Sequence, residues 1–436
     1  MSSQTRLKSF AIAAIILSVV PAFVWAGTSA VTPAAQPAQA RAGRGAAQPP
    51  AVISPEILSD NRVVFRIRAP KATAVTLSAS DVPRTALVLP GSTPTPETPG
   101  PPPGPVLARA EGDVWEFTTA APVPPGAFRY VFHVDGVRTL DPANTKTSES
   151  NTAVWSLFFV PGIDVEELRD VPHGAIAEVF YFSTVLHQTR RMHVYTPPGY
   201  GAGTGTYPVF YLLHGAGDTD DAWTSVGRAG VILDNLIAAK QAVPMLVVMP
   251  AGHQPARPGS VPGTAGAGGP PTSVSPPSVS PFTREFVEDV MPYVERHYRT
   301  RTDRPGRAIA GLSMGGMQTL DIAFRHLERF AYLGVYSSGA TLGGGRGAAA
   351  GATATPPPPD WEAGHLADLD NASLKKGTKL VWLATGVDDR LIANTRATVD
   401  ILRKHGFHPE FKETAGAHTW LVWRQYLREF VPRLFK

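Results

Sequence analysis

The sequence predicts a chain in two parts: a small all-β sandwich, then an α/β domain whose mostly parallel sheet is covered on both faces. Three observations predict it. Residues 53–160 alternate apolar and polar side chains with period two. From about residue 173, short apolar runs alternate with helical patterns. Between one such run and the helix after it stands Gly311-Leu312-Ser313-Met314-Gly315. The chain has 436 residues, of which 43% are apolar, enough for a sizeable core. It has no Cys, which excludes disulfides, thiolate metal sites, a Cys nucleophile and a lipoprotein anchor. The net charge of +4 is small for this length, and no Lys/Arg-rich run stands out. Nucleic acid is therefore not an expected partner.

The first 26 residues have the pattern of a secretory signal peptide. Arg6 and Lys8 form a basic start, an apolar run follows from Phe10 to Trp25, and cleavage is expected after Ala26. The alternative, an uncleaved membrane anchor, is disfavoured because the run is short and no stop-transfer charges follow. The expected location is secreted or periplasmic, with no membrane association after cleavage. Residues 27–52 are rich in Ala, Pro, Gln and Gly and read as a linker. Residues 92–105, 254–281 and 341–359 have similar compositions and read as surface insertions with too little apolar area to pack.

In residues 53–160, Val63, Phe65 and Ile67 share one face, and Val75 with Leu77 and Trp115 with Phe117 repeat the alternation. Phe128, Tyr130 and Phe132 mark the clearest strand, and Asp135-Gly136 beyond it fits a two-residue hairpin turn. Several short segments resemble the early-set, immunoglobulin-like modules that precede glycogen-branching enzymes and isoamylases. They are Val64 to Pro70, Gly112 to Trp115, Gly126 to Tyr130, Asp135-Gly136 and Asp141-Pro142. The resemblance implies possible carbohydrate contact through Trp115, Tyr130 or Trp155, although strand spacing reads these rings as core. An architectural or substrate-positioning role is expected.

In the second part, Val209–Leu213, Met245–Met249, Ala308–Ala310, Tyr332–Tyr336, Leu380–Ala384 and Glu410–Thr414 read as strands. Helical patterns cover 232–239, 282–298, 314–327 and 394–404, the last stopping at Gly406, and a final helix spans about 419–435. Ser313 sits between strand and helix, the setting of a nucleophile elbow. A serine needs a base to take its proton. His418 follows the last strand and precedes the last helix. Asp388 and Asp389 both follow a strand, and the residues alone do not choose between them. The one not orienting the imidazole is expected to cap a helix or accept a loop hydrogen bond.

Together these residues resemble the esterase family of α/β-hydrolases, which includes feruloyl and acetylxylan esterases of carbohydrate esterase family 1 and enterochelin esterase-like proteins. The matching segments are Tyr211 to Asp218, Ile232 to Ile237, Pro244 to Gly252, Arg307 to Gly316, Gly386 to Leu391 and Gly416 to Trp423. They span most of residues 173–436. The resemblance implies a Ser313–His418–Asp389 triad, selecting Asp389 over Asp388. It also implies an oxyanion hole from the backbone N–H groups of Ala216 and Met314, with His214 as a structural support. The family's Gly-Gly-His is Gly416-Ala417-His418 here.

The implied function is a carboxylic ester hydrolase acting on feruloyl or acetyl esters of sugars or polysaccharides, without cofactor or metal. A siderophore esterase or an acyltransferase is the alternative within this chemistry. A non-catalytic carbohydrate-binding protein is the alternative outside it. A metallohydrolase is disfavoured because no His-Glu-x-x-His cluster occurs among the 12 His.

Overall fold

The computed structural model describes residues 51–88, 104–253, 279–340 and 361–436. The expected signal peptide, nearly all of the linker and most of the three Pro/Gly-rich stretches lie outside these residues. Gly104 and Pro105 are described and correct one expectation. The Pro105 carbonyl accepts from Leu77 N–H at 3.0 Å. Backbone pairing of this kind needs no apolar side chain, so composition did not reveal it.

The all-β region consists of two sheets. One is ordered Glu56–Ile57, Val63–Arg68, Val114–Thr118, Ala108–Arg109; the other Val75–Ser78, Gly126–Val134, Val154–Val160, Thr147–Glu149. Val63, Phe65, Ile67, Phe128, Tyr130, Phe132 and Phe158 are buried between them. Tyr130 and Trp115 are thus core residues, as strand spacing suggested. Asp135 and Gly136 both have positive φ, 48° and 83°, and turn the chain into the short strand Val137–Thr139. The outer face of the second sheet is not solvated. Ala127 and Leu157 pack into the core of the α/β region, while the all-β region keeps a core of its own.

That region contains eight strands: β1 (Ala175–Ser183), β2 (Gln188–Thr196), β3 (Val209–Leu213), β4 (Leu246–Pro250), β5 (Arg307–Leu312), β6 (Tyr332–Tyr336), β7 (Leu380–Gly386) and β8 (Glu410–Thr414). Their order is β1-β2-β4-β3-β5-β6-β7-β8. β1 and β2 pair antiparallel and β2 meets β4 antiparallel; every later pairing is parallel. Each of β3 to β7 is buried throughout, which explains their continuous apolar runs.

Helices α1 (Ala229–Ala238), α2 (Met314–Arg325), α3 (Ile392–Lys404) and α4 (Trp420–Phe430) follow β3, β5, β7 and β8. A further helical run, Pro281–Glu285, Phe286–Val290 and Met291–His297, widens to π geometry in its middle segment. Pro292 has no N–H to offer the carbonyl four residues back, and the widened turn lies just before it. Ser280 caps the start of this run by accepting from Thr283 N–H at 3.1 Å. α1 and α4 pack on one face of the sheet, α2, α3 and the 281–297 run on the other. Such a sheet gathers its loops, and any reacting groups they carry, at the carboxyl ends of the parallel strands.

Candidate active site

Ser313 lies between the end of β5 and the first turn of α2, with φ 51° and ψ −114°. A non-glycine residue there is strained by about 1–3 kcal/mol. The neighbouring glycines make the turn sterically feasible. A Cβ on Gly311 would fall 2.3 Å from the Gly315 carbonyl carbon, and one on Gly315 would fall 2.6 Å from the carbonyl oxygens of Leu213 and His214. The Ser313 N–H donates to the Tyr336 carbonyl at 2.9 Å, and the Ser338 hydroxyl donates to the Ser313 carbonyl at 2.6 Å. The hydroxyl of Ser313 itself is left facing His418.

His418 Nε2 lies 3.0 Å from Ser313 Oγ. Its Nδ1 lies 3.0 and 2.9 Å from the two Asp389 oxygens. A carboxylate only accepts, so Nδ1 carries the proton and donates to it. In the neutral ring Nε2 is then the acceptor for the serine hydroxyl. The loops holding Asp389 and His418 are tied together. Val387 N–H donates to the Thr414 carbonyl at 2.8 Å and Asp388 N–H to the Gly416 carbonyl at 3.0 Å. The Trp423 ring stands edge-to-face against His418, 5.0 Å between centroids.

Of the two adjacent aspartates, Asp389 is 2% exposed and Asp388 is exposed. Burial would push the Asp389 carboxyl up, but the His418 hydrogen bond and charge and the Leu391 N–H together bring it below its ordinary range. The expected capping role for Asp388 is not seen. The N-cap of α3 is Leu391, with no side-chain cap bond. Asp388 instead enters the loop through its backbone N–H.

The loop after β3, His214 to Asp218, runs beside Ser313. A Cβ built on Gly215 would lie 3.6 Å from Ser313 Cβ. His214 is fully buried; its Nε2 accepts from Gly252 N–H at 2.8 Å and its Nδ1 donates to the Gly215 carbonyl at 2.8 Å. Because the peptide is planar and trans, fixing the Gly215 carbonyl fixes the Ala216 N–H in the opposite direction. His214 is therefore a support for the loop. Burial drives its pKa down to about 4, which keeps the ring neutral and this tautomer in place. Met314 is the first residue of α2, so its N–H has no acceptor within the helix.

Sequence patterns did not reveal the contribution of the all-β region to this loop. Asn151 Nδ2 donates to the Ala216 carbonyl at 2.9 Å, and Arg129 Nη1 lies 2.7 Å from Asp218 Oδ1. Arg129 sits at an outward-facing position of an alternating strand, which reads as solvated until the covering surface is known. Among the described residues, no group of three or more His, Asp or Glu is placed to hold a metal ion.

Residues 183–434 match the Esterase family. The chain belongs to this family. Its fold is the α/β-hydrolase fold. A curated esterase relative, the endo-1,4-beta-xylanase/feruloyl esterase of Xylanibacter ruminicola, is 29% identical over 395 residues, covering 88% of this chain and 46% of the relative. Endo-1,4-beta-xylanase Y of Acetivibrio thermocellus is 26% identical over 287 residues, covering 60% of this chain and 23% of the relative. The chain thus spans less than half of the length of either. Among solved structures, the enterobactin esterase of Shigella flexneri aligns over 86% of this chain and 94% of its own, with a TM-score of 0.55 at 18% identity.

Proposed function

We propose that the protein is a secreted serine carboxylic ester hydrolase working through an acyl-enzyme. The observation that carries this reading is the hydrogen-bonded line Ser313 Oγ, His418 Nε2, Asp389 carboxylate, with 3.0 Å between hydroxyl and imidazole. Ser313 Oγ attacks the ester carbonyl while His418 Nε2 takes its proton. The tetrahedral oxyanion is held by the N–H groups of Met314 and Ala216. His418 returns the proton to the leaving alcohol, whose bond to the acyl carbon breaks. Water, deprotonated by the same nitrogen, then attacks the acyl-enzyme and releases the acid and Ser313. Asp389 keeps the ring in the working tautomer and stabilises the imidazolium.

The substrate we propose is a feruloyl or acetyl ester of a sugar or polysaccharide. It is supported by the feruloyl esterase name of the Xylanibacter relative, whose match spans both parts of this chain. Secretion rests on the leader-like residues 1–26, and the 53–160 region is read as an immunoglobulin-like early-set module. Among the described residues, no helix is long and apolar enough to cross a membrane.

Ser313→Ala tests the chemistry. Turnover of an aryl ester should fall on the order of a million-fold, and a serine-directed phosphonate should leave no adduct. Retention of more than about one per cent of activity would remove the reading. A panel of methyl ferulate, acetylated xylan and enterobactin tests the substrate class; preference for enterobactin would move it to siderophore esters.

A further inference from the structure

We propose that Arg129 and Asn151, both carried by the all-β region, are positioning residues for the oxyanion loop, so that the catalytic site is completed by both parts of the chain. This inference rests on the proposed function.

The two contacts reach the loop from a strand and from a turn. Arg129 belongs to the strand Gly126–Val134, and its guanidinium lies between Asp81 of its own region, at 2.8 Å, and Asp218 of the oxyanion loop, at 2.7 Å. All three side chains are nearly enclosed, with 12%, 11% and 6% exposure. Asn151 lies in the turn between Thr147–Glu149 and Val154–Val160. Its side-chain amide donates to the Ala216 carbonyl and its backbone N–H to the Gly217 carbonyl, at 2.9 and 3.2 Å. Ser150 forms an isolated antiparallel bridge with Asp218, and Glu149 N–H donates to Asp221 Oδ2 at 2.9 Å. The loop is thereby bordered on its outer side by a strip of the all-β region.

The consequence for chemistry is geometric. Ala216 is exposed and sits between two peptide units. His214 fixes the peptide before it, which carries the oxyanion N–H; Asn151 fixes the peptide after it. Without the Asn151 side chain the peptide after Ala216 is held less firmly, by the Asn151 backbone N–H on the Gly217 carbonyl at 3.2 Å and by the His253 ring, whose Nε2 lies 3.0 Å from the Asp218 carbonyl. An oxyanion donor acts through its aim at the transition-state oxygen, so loosening it lowers the rate of the chemical step and leaves ground-state binding unchanged. Arg129 fixes the far end of the same loop through Asp218.

The test uses the full chain with Asn151→Ala and Arg129→Lys, the second keeping the buried charge. Asn151→Ala should lower kcat on the order of ten- to a hundred-fold at unchanged KM and unchanged melting temperature, less than the loss of a whole oxyanion donor. Its inactivation by a phosphonate, whose phosphoryl oxygen takes the oxyanion position, should slow by a similar factor. Arg129→Lys should show the same split. Folded variants with kcat within about two-fold of the parent, or a change in KM alone, would overturn the inference while an inactive Ser313→Ala left the triad standing. An active Ser313→Ala would overturn both.

Discussion

Asp389→Asn separates the acid's electrostatic work from its shape. The wild-type carboxylate receives Leu391 N–H on Oδ1 at 2.8 Å and faces His418 Nδ1 with Oδ2 at 2.9 Å. In the variant the amide oxygen is drawn to the fixed Leu391 donor, because an NH2 group there would meet another N–H. The NH2 group then takes the Oδ2 place, at 2.9 Å the nearer of the two to Nδ1 against 3.0 Å for Oδ1, and turns that nitrogen into an acceptor. The ring proton moves to Nε2, the nitrogen that should receive the serine proton, and general-base catalysis stops. A wrong tautomer in otherwise intact triad geometry costs about 10⁴-fold in kcat, or about 5 kcal/mol of transition-state stabilisation. Steady-state hydrolysis of a chromogenic short-chain ester reads the effect, with thermal melting as the control for folding. Asp388→Asn, at an exposed position, should stay within about two-fold of the parent because its side chain takes no part in the line. An Asp389→Asn enzyme retaining a tenth of wild-type kcat, or an Asp388→Asn enzyme losing more, would refute the reasoning.

Gly315→Ala places a methyl 2.6 Å from two carbonyl oxygens, so the turn must open; a stability loss of about 1–3 kcal/mol with reduced kcat is expected, read by denaturant midpoint and turnover. His214 titrates near 6.5 when unfolded and at about 4 when folded. The folded state therefore binds fewer protons between these values, and the stability it contributes is whole above about pH 6.5 and is lost as pH falls toward 4, by up to about 3 kcal/mol. His214→Gln should flatten stability against pH in that window, and equal slopes for variant and parent would contradict this. Arg424 is 1% exposed and bonds Glu166 Oε2 and the carbonyls of Ala127 and Val226, at 2.9, 3.0 and 3.0 Å. Arg424→Met leaves the buried Glu166 only its longer pair with Arg428 at 3.4 Å and should cost about 3 kcal/mol, whereas adding Glu166→Gln should recover part of the melting temperature.

What was legible in the sequence follows from what burial does to composition. Val209–Leu213, Tyr332–Tyr336 and Glu410–Thr414 have the bounds that the pattern suggested. The first two are continuous apolar runs because both faces of the sheet are covered. The hairpin of β1 and β2 escaped notice. Phe180 and Phe182 point outward at 59% and 61% exposure, while Arg190 and Arg191 sit in ion pairs with Glu285 and Asp220. Apolar residues outside and charges inside defeat a binary reading. Arg424 misleads similarly, since its place on an amphipathic helix suggests solvent while its partners come from residues 127, 166 and 226. The choice of Asp389 over Asp388 was legible only through the family resemblance, because which carboxylate the loop turns inward is a property of the fold.

The site is assembled as two units, and this constrains how it can fail. Ser313 is held by β5, β6 and α2: its N–H is bound to Tyr336, its carbonyl receives Ser338 and the N–H of Met317, and the nearby Gly311, Gly315 and Gly316 have no room for a side chain. The strain at φ 51° persists because these contacts leave the residue no alternative. His418 and Asp389 form the other unit, since their loops are bonded to each other rather than to the serine turn. The two units are also joined through Ser337 N–H to the Ala384 carbonyl and the Thr395 hydroxyl to the Ser338 carbonyl, both at 2.8 Å, but the reacting groups themselves meet at His418 Nε2 and Ser313 Oγ. A disturbance of the β7 and β8 loops thus moves acid and base together, preserving the tautomer but changing the distance to the hydroxyl. A disturbance of β5 or α2 moves the nucleophile away from a pair that remains correctly protonated. In both cases phosphonate inactivation falls with turnover, because phosphonylation also needs His418 to take the Ser313 proton.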